Sequence, residues 1–285
     1  MSLTIYEALS EAQEKLKQAG ILNSFHEARL LLRYALNFSL EKIIISPQVH
    51  LTPEQLEKYK YWITRRSLHE PLSKIREEKE FWSLPFIVKA ETLDPRPDSE
   101  TLIEAVLKTY PSREMVFNIL DLGIGTGCLI ITLLQEYLFS FGIGVDKSAQ
   151  ALEVAQLNLE KFNLQDRLKL IQTSWGEGIE GTFDIIISNP PYIAETERQI
   201  LSPEVIQYDP EIALFAGEDG LDAYRALAPH VFRLLKTSGH LFLEIGQGQE
   251  KAVEKIFEKS ELIIQEWIPD LAGIIRCGIF QKAFV

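Results

Sequence analysis

Asn189-Pro190-Pro191-Tyr192 ends the stretch FDIIISNPPYI, directly after the β-branched run Ile185 to Ile187. A buried strand that stops at an amide, a rigid backbone and an aromatic ring offers specific chemistry. The prolines fix φ and expose carbonyls with no competing local N–H. Asn189 adds a side-chain carbonyl, and Tyr192 a flat surface for stacking. Together they form a rigid pair of acceptors for a planar NH₂ group. At the carboxyl end of a strand in an open α/β sheet, such a motif faces the ligand crevice.

A second candidate is Asp121-Leu122-Gly123-Ile124-Gly125-Thr126-Gly127, between a strand, FNILDLG, and a helix, CLIITLLQEYL. Its glycines let the backbone turn tightly, and the following helix start offers free N–H groups. Asp146 ends the next strand, FGIGVD, 25 positions after Asp121. An acid there accepts hydrogen bonds from ribose hydroxyls or caps the following helix. Trp175 follows the third strand, where its ring borders an adenine or packs in the core. Gly-x-Gly-x-Gly also resembles the dinucleotide fingerprint with Cys128 at the third small position, which keeps a dehydrogenase in view. An NH₂ acceptor beside a nucleoside-binding loop points instead to methyl transfer from S-adenosylmethionine to nitrogen. An amide nitrogen is a poor nucleophile, and acceptors on both its protons would raise its electron density and align it.

These residues need elements to hold them. From about residue 117 strands alternate with amphipathic helices, which predicts an α/β fold with a mostly parallel sheet and right-handed crossovers. Residues 80–93, EFWSLPFIVKAETL, read as a short hairpin. PRPDSETLIEAVL opens a helix with Asp98 or Ser99 as its cap. Residues 1 to about 73 read as a helical bundle. Thr4 with Glu7, Ser24 with Glu27, and Thr52 with Gln55 have capping-box spacing.

The chain has 285 residues, 46% hydrophobic and 25% charged, an ordinary globular composition. Its net charge is −12. Residues 1–75 hold 10 Lys/Arg and 8 Asp/Glu, a net of +2, and the rest hold 19 and 33, a net of −14. An acidic body argues against broad contact with a phosphate backbone. No apolar run reaches membrane-spanning length, and MSLTIYEALSEAQEKL has neither signal-peptide nor transit-peptide character. Cys128 and Cys277 make no metal spacing and no disulfide framework, so a cytoplasmic protein without a metal is expected.

DLGIGTG, GVD and SNPPYI together resemble class I methyltransferases acting on exocyclic or amide nitrogen. With EFWSLPFIV, PRPDSETLIE, GEDGLDAYR, GHLFLEIGQGQ and PDLAGIIR, nearly the whole chain is similar to the protein-glutamine N5-methyltransferases of peptide release factors, the PrmC or HemK family. The resemblance implies a Rossmann-like methyltransferase sheet behind an N-terminal helical bundle. It divides the chain into a substrate-docking domain (1–73), a hairpin linker (74–97) and a methyltransferase domain (98–285). Gly123, Ile124, Gly125, Thr126, Gly127, Asp146, Trp175 and Asn189 would bind S-adenosylmethionine. Asn189, Pro190, Pro191 and Tyr192 would hold the glutamine of the release factor's Gly-Gly-Gln motif. Three other readings are a ribosomal-protein glutamine methyltransferase, an adenine-N6 nucleic-acid methyltransferase and a noncatalytic cofactor-binding scaffold. An adenine enzyme should carry a basic recognition domain, and an intact NPPY argues against a scaffold.

Overall fold

The computed structural model describes residues 2–283. The front of the chain forms helices α1 (Ile5–Gln18), α2 (Ser24–Leu36), α3 (Leu40–Ile45), α4 (Pro53–Ser67) and α5 (Leu72–Arg76). Thr4 and Thr52 cap α1 and α4 as the spacing predicts. Each hydroxyl accepts the N–H three residues on, and Glu7 and Gln55 reach back to the cap N–H. The Ser24–Glu27 box does not form. Asn23 is the N-cap of α2 and makes no side-chain bond. Glu27 instead accepts from the guanidinium of Arg66, which is 5% exposed and reaches Glu204 at 2.7 Å on its other side. A buried guanidinium needs a carboxylate more than a partly wet helix end needs a cap.

This unit, residues 1–77 with 202–208, packs around Ile5, Leu16, Leu31, Leu32 and Ile63. The buried Tyr59 spends its hydroxyl on the Ala28 carbonyl at 2.9 Å.

The second unit, residues 78–201 with 209–285, begins with the antiparallel hairpin β1 (Glu78–Phe81) and β2 (Leu84–Ile87). A single 3₁₀ turn, Pro97–Ser99, leads into α6 (Glu100–Thr109). Neither Asp98 nor Ser99 caps that helix: Ser99 is already helical and makes no cap bond, and Asp98 lies 3.5 Å from Arg276. Next come β3 (Asn118–Leu122), α7 (Cys128–Glu136), β4 (Phe141–Asp146), α8 (Ala149–Lys161), β5 (Leu168–Gln172) and β6 (Phe183–Ser188). A short helix, α9 (Pro203–Tyr208), belongs to the front unit. The chain closes with α10 (Asp222–Leu234), β7 (Leu235–Glu244), α11 (Glu250–Glu258), β8 (Leu262–Pro269) and β9 (Ile275–Lys282).

The seven-stranded sheet runs β5-β4-β3-β6-β7-β9-β8. Its first five strands are parallel, and β9 is antiparallel to both neighbours. Ile119, Ile185 and Ile187 face one apolar layer with α6 and α7. Leu120, Ile186 and Leu241 face the other, with α10 and α11. Burial on both faces explains the unbroken β-branched runs. The strand order reverses between β3 and β6, whose residues Asp121 and Ile187 are paired. That topological switch point opens a crevice beyond the carboxyl ends of the two strands. Among the described residues, no helix is long and apolar enough to cross a membrane.

Candidate active site

The glycine loop leaves β3 at the switch point. Gly123 and Ile124 both donate to the Val145 carbonyl at 2.9 Å, folding the loop over the end of β4. Ile124 can tuck in because position 144 is glycine: a Cβ there would lie 2.1 Å from the Ile124 Cδ1. Gly125 has a φ of 54° with nothing within 4 Å of where a Cβ would stand, so bare backbone faces open space. Gly127 caps α7 and lies against Ile131 rather than on the cleft wall. The buried Asn158 accepts from the Ile87 N–H at 2.7 Å and donates to the Thr126 carbonyl at 2.9 Å. The hairpin and the loop are thereby joined.

Asp146 closes β4 and clamps this loop. Its two carboxylate oxygens accept from Gly125 N–H at 3.0 Å and Ser148 N–H at 2.9 Å. Each oxygen keeps a lone pair, and the side chain lines the cleft. Beneath it, Asp121 is 1% exposed, and neither of its oxygens has a hydrogen-bond partner among the described residues. Burial, with Asp146 nearby, pushes its carboxyl up to about 8. Trp175 follows β5 with a φ of 51°, an uncommon conformation for a bulky residue, and its ring edge borders Gly123.

On the other side of the reversal, Ser188 ties β6 to β3 by donating to the Leu122 carbonyl at 2.6 Å. Asn189 follows, and its Nδ2 donates to the Ser99 Oγ at 3.1 Å. With the nitrogen end anchored, the Asn189 Oδ1 is the acceptor left for a ligand. Pro190 and Pro191 line the cleft beside it. Tyr192 does not line it. Its ring packs against the apolar layer of α10 and α11, and its hydroxyl donates to Glu244 Oε1 at 3.4 Å. The Tyr192 carbonyl accepts from Gln249 Nε2 at 2.9 Å.

The resulting cleft is walled by both motifs. Gly123, Ile124, Gly125, Thr126, Asp146, Trp175, Asn189, Pro190 and Pro191 all reach it; Gly127 and Tyr192 stand behind. Arg96 and Ser99 also wall the cleft, although PRPDSE marks them in the sequence only as a family signature and a helix start. Arg96 pairs with the buried Asp209 at 2.6 Å. Cys128 also lines the cleft, but burial pushes its thiol up to about 12, which makes it a poor nucleophile. An open glycine backbone, an acid at a strand end and an indole fit a nucleoside with a polar tail, as in S-adenosylmethionine.

The PrmC N-terminal domain family matches residues 7–76, and the methyltransferase small domain family matches residues 79–209. The release factor glutamine methyltransferase of Caulobacter vibrioides is 37% identical, covering 95% of this chain and 94% of its own. That of Rhodospirillum rubrum is 38% identical, covering 99% of this chain and 86% of its own. A bifunctional methyltransferase of Rickettsia conorii is 37% identical over 99% of this chain, which spans 58% of that protein. In fold, a methyltransferase structure from Pyrococcus furiosus has a TM-score of 0.53 over 78% of this chain and 99% of its own, at 19% identity. Matched nearly end to end by such relatives, the chain belongs to the PrmC family of release factor glutamine methyltransferases.

Proposed function

We propose that this chain transfers a methyl group from S-adenosylmethionine to the side-chain amide nitrogen of the glutamine in the Gly-Gly-Gln motif of peptide chain release factors. The observation that carries this reading is the Asn189 amide. It stands at the switch point, nitrogen end bound by Ser99, beside a cleft-facing glycine loop. The family membership supports the same substrate.

S-adenosylmethionine, when bound, supplies an electrophilic methyl on a sulfonium sulfur. Gly123 to Thr126 would take its amino-acid and sugar portions against bare backbone, with Asp146 accepting from the ribose and Trp175 beside the base. Asn189 Oδ1 accepts one proton of the glutamine amide, and the Pro190 carbonyl the other. Both acceptors place electron density on the nitrogen and fix its lone pair toward the methyl. Bound there, S-adenosylmethionine would supply the methyl and keep the bonding pair on its sulfur, while Asn189 and Pro190 hold the amide nitrogen in line and its surplus proton passes to solvent. No thiol or histidine is required of the chain. Pro191 stiffens the loop, and Tyr192 supports it from behind.

In this reading residues 1–73 dock the release factor, 74–97 link, and 98–285 carry the transfer, in the cytoplasm. The enzyme is incubated with methyl-labelled S-adenosylmethionine and, separately, purified release factors, ribosomes and DNA. Label is expected on release factors alone. Label on ribosomal protein or DNA, with none on release factors, would refute the substrate assignment.

A further inference from the structure

Arg96 and Asp209 form an ion pair at the cleft wall that the transfer chemistry does not use. Arg96 Nη2 donates to Asp209 Oδ2 at 2.6 Å, and Asp209 is the guanidinium's only hydrogen-bond partner among the described residues. The Asp209 side chain is 4% exposed, whereas that of Arg96 is 38% exposed and lines the cleft. The carboxylate therefore lies on the protein side of the pair, and the remaining N–H groups of the guanidinium are open to the cleft. Two further ties put the pair beside the acceptor motif. Ser99 N–H donates to the Arg96 carbonyl at 3.0 Å, and the Ser99 hydroxyl accepts from Asn189 Nδ2 at 3.1 Å. Ile193, next after Tyr192, donates its N–H to the Leu214 carbonyl at 2.9 Å and accepts from Ala216 N–H at 3.0 Å. The segment after Asp209 is thereby laid along the end of the motif, and its Pro210, Ile212 and Ala213 line the cleft.

A charged donor on this wall has a use. Asn189 Oδ1 and the Pro190 carbonyl are both acceptors, matched to the two protons of an NH₂ group. An aromatic amine presents such a group as well as an amide does. A glutamine within a peptide differs by its flanking main-chain carbonyls, which need donors. Neither Asn189 Oδ1 nor a proline, which lacks an N–H, can supply them. Arg96 can. The oxygen of the reacting amide is the wrong acceptor for it, because a donor there would draw the nitrogen lone pair into the carbonyl and oppose transfer. An uncompensated cation would also repel the sulfonium, and the nitrogen as it gains positive charge. Asp209, at 2.6 Å, offsets that charge and leaves the donors in place.

We propose that Arg96, held by Asp209, is a specificity-determining residue that donates to a main-chain carbonyl of the peptide carrying the glutamine. The inference rests on the proposed transfer to glutamine. Arg96 makes the site read its substrate as a peptide, where the acceptor motif alone would suit any planar NH₂ group.

The test is single-turnover transfer across a range of release-factor concentrations with saturating S-adenosylmethionine, alongside calorimetric cofactor affinity. Arg96→Met keeps the aliphatic stem and loses the donors. It is expected to raise the half-saturating release-factor concentration roughly tenfold, the effect of losing one hydrogen bond to a charged group. The rate at saturation should stay within about threefold of wild type, and cofactor affinity should not change. Arg96→Lys, which keeps a charged donor, should recover part of the loss. A half-saturating concentration within about threefold of wild type for Arg96→Met would overturn the proposal. So would weakened cofactor binding, which would put Arg96 on the carboxylate of S-adenosylmethionine instead. Should Arg96→Met not fold, Arg96→Lys decides: a raised half-saturating concentration with intact cofactor binding supports the proposal, and a wild-type value refutes it. A wild-type enzyme that transfers nothing to release factors would instead refute the function on which this rests.

Discussion

At the scale of single residues, the account depends on acceptors held still. Asn189→Ala removes the carbonyl and the anchor to Ser99 together. We expect single-turnover transfer to fall by about 10²–10³-fold, the usual loss when one preorganised polar group goes. Asn189→Asp keeps an acceptor but places an ionised group in a partly dry site, so it should be impaired yet measurable. Tyr192→Phe should be milder than either, because the ring packs behind the cleft and its 3.4 Å bond to Glu244 is long. Asp146→Ala has a wider effect than a lost ribose contact, since Asp146 also clamps the Gly125 and Ser148 amides. Its affinity for S-adenosylmethionine should drop by roughly 1.5–3 kcal/mol in calorimetry, and wild-type affinity would contradict the assignment.

At the scale of elements, local sequence and tertiary demand compete, and Glu27 shows which wins. If Glu27 only capped α2, Glu27→Ala would cost about 1 kcal/mol. Because it partners the buried Arg66, we expect a loss nearer ~3 kcal/mol in urea unfolding, even though Glu204 still holds the other side. A loss under about 1 kcal/mol would show that Arg66 rehydrates freely. The same competition explains what could be read in advance. The alternation from residue 117, the hairpin, and the boxes at Thr4 and Thr52 were legible because their signals are local. The cleft-facing glycines and Asn189 were legible because loop composition and strand ends mark them. The Ser24–Glu27 spacing is identical whether Glu27 turns back to the cap or outward to a residue 39 positions on. Nor could spacing show that Asp98 would turn to Arg276, or that the Tyr192 ring would pack against the layer of α10 and α11.

At the scale of the molecule, two buried carboxyls govern how stability responds to pH. Burial raises Asp121 to about 8 and Glu244 to about 7, from 3.8 and 4.5. Between the unfolded and folded values each stays protonated in the fold and ionises on unfolding. Their contribution is therefore fully present below about pH 4 and is lost as pH rises through about 7 to 8. Cofactor-free enzyme should lose melting temperature between pH 5 and 8, and Asp121→Asn should flatten that slope. An unchanged slope in Asp121→Asn would mean the carboxyl is already ionised in the fold.

The paired motifs, the switch point and the family all converge on one atom of the substrate, the amide nitrogen of a release-factor glutamine. Tandem mass mapping of a release factor after incubation with S-adenosylmethionine and this enzyme tests that convergence directly. The account predicts one methyl group on the side-chain nitrogen of the Gly-Gly-Gln glutamine, and almost none with Asn189→Ala. A methyl on any other residue, or undiminished transfer by Asn189→Ala, would contradict it.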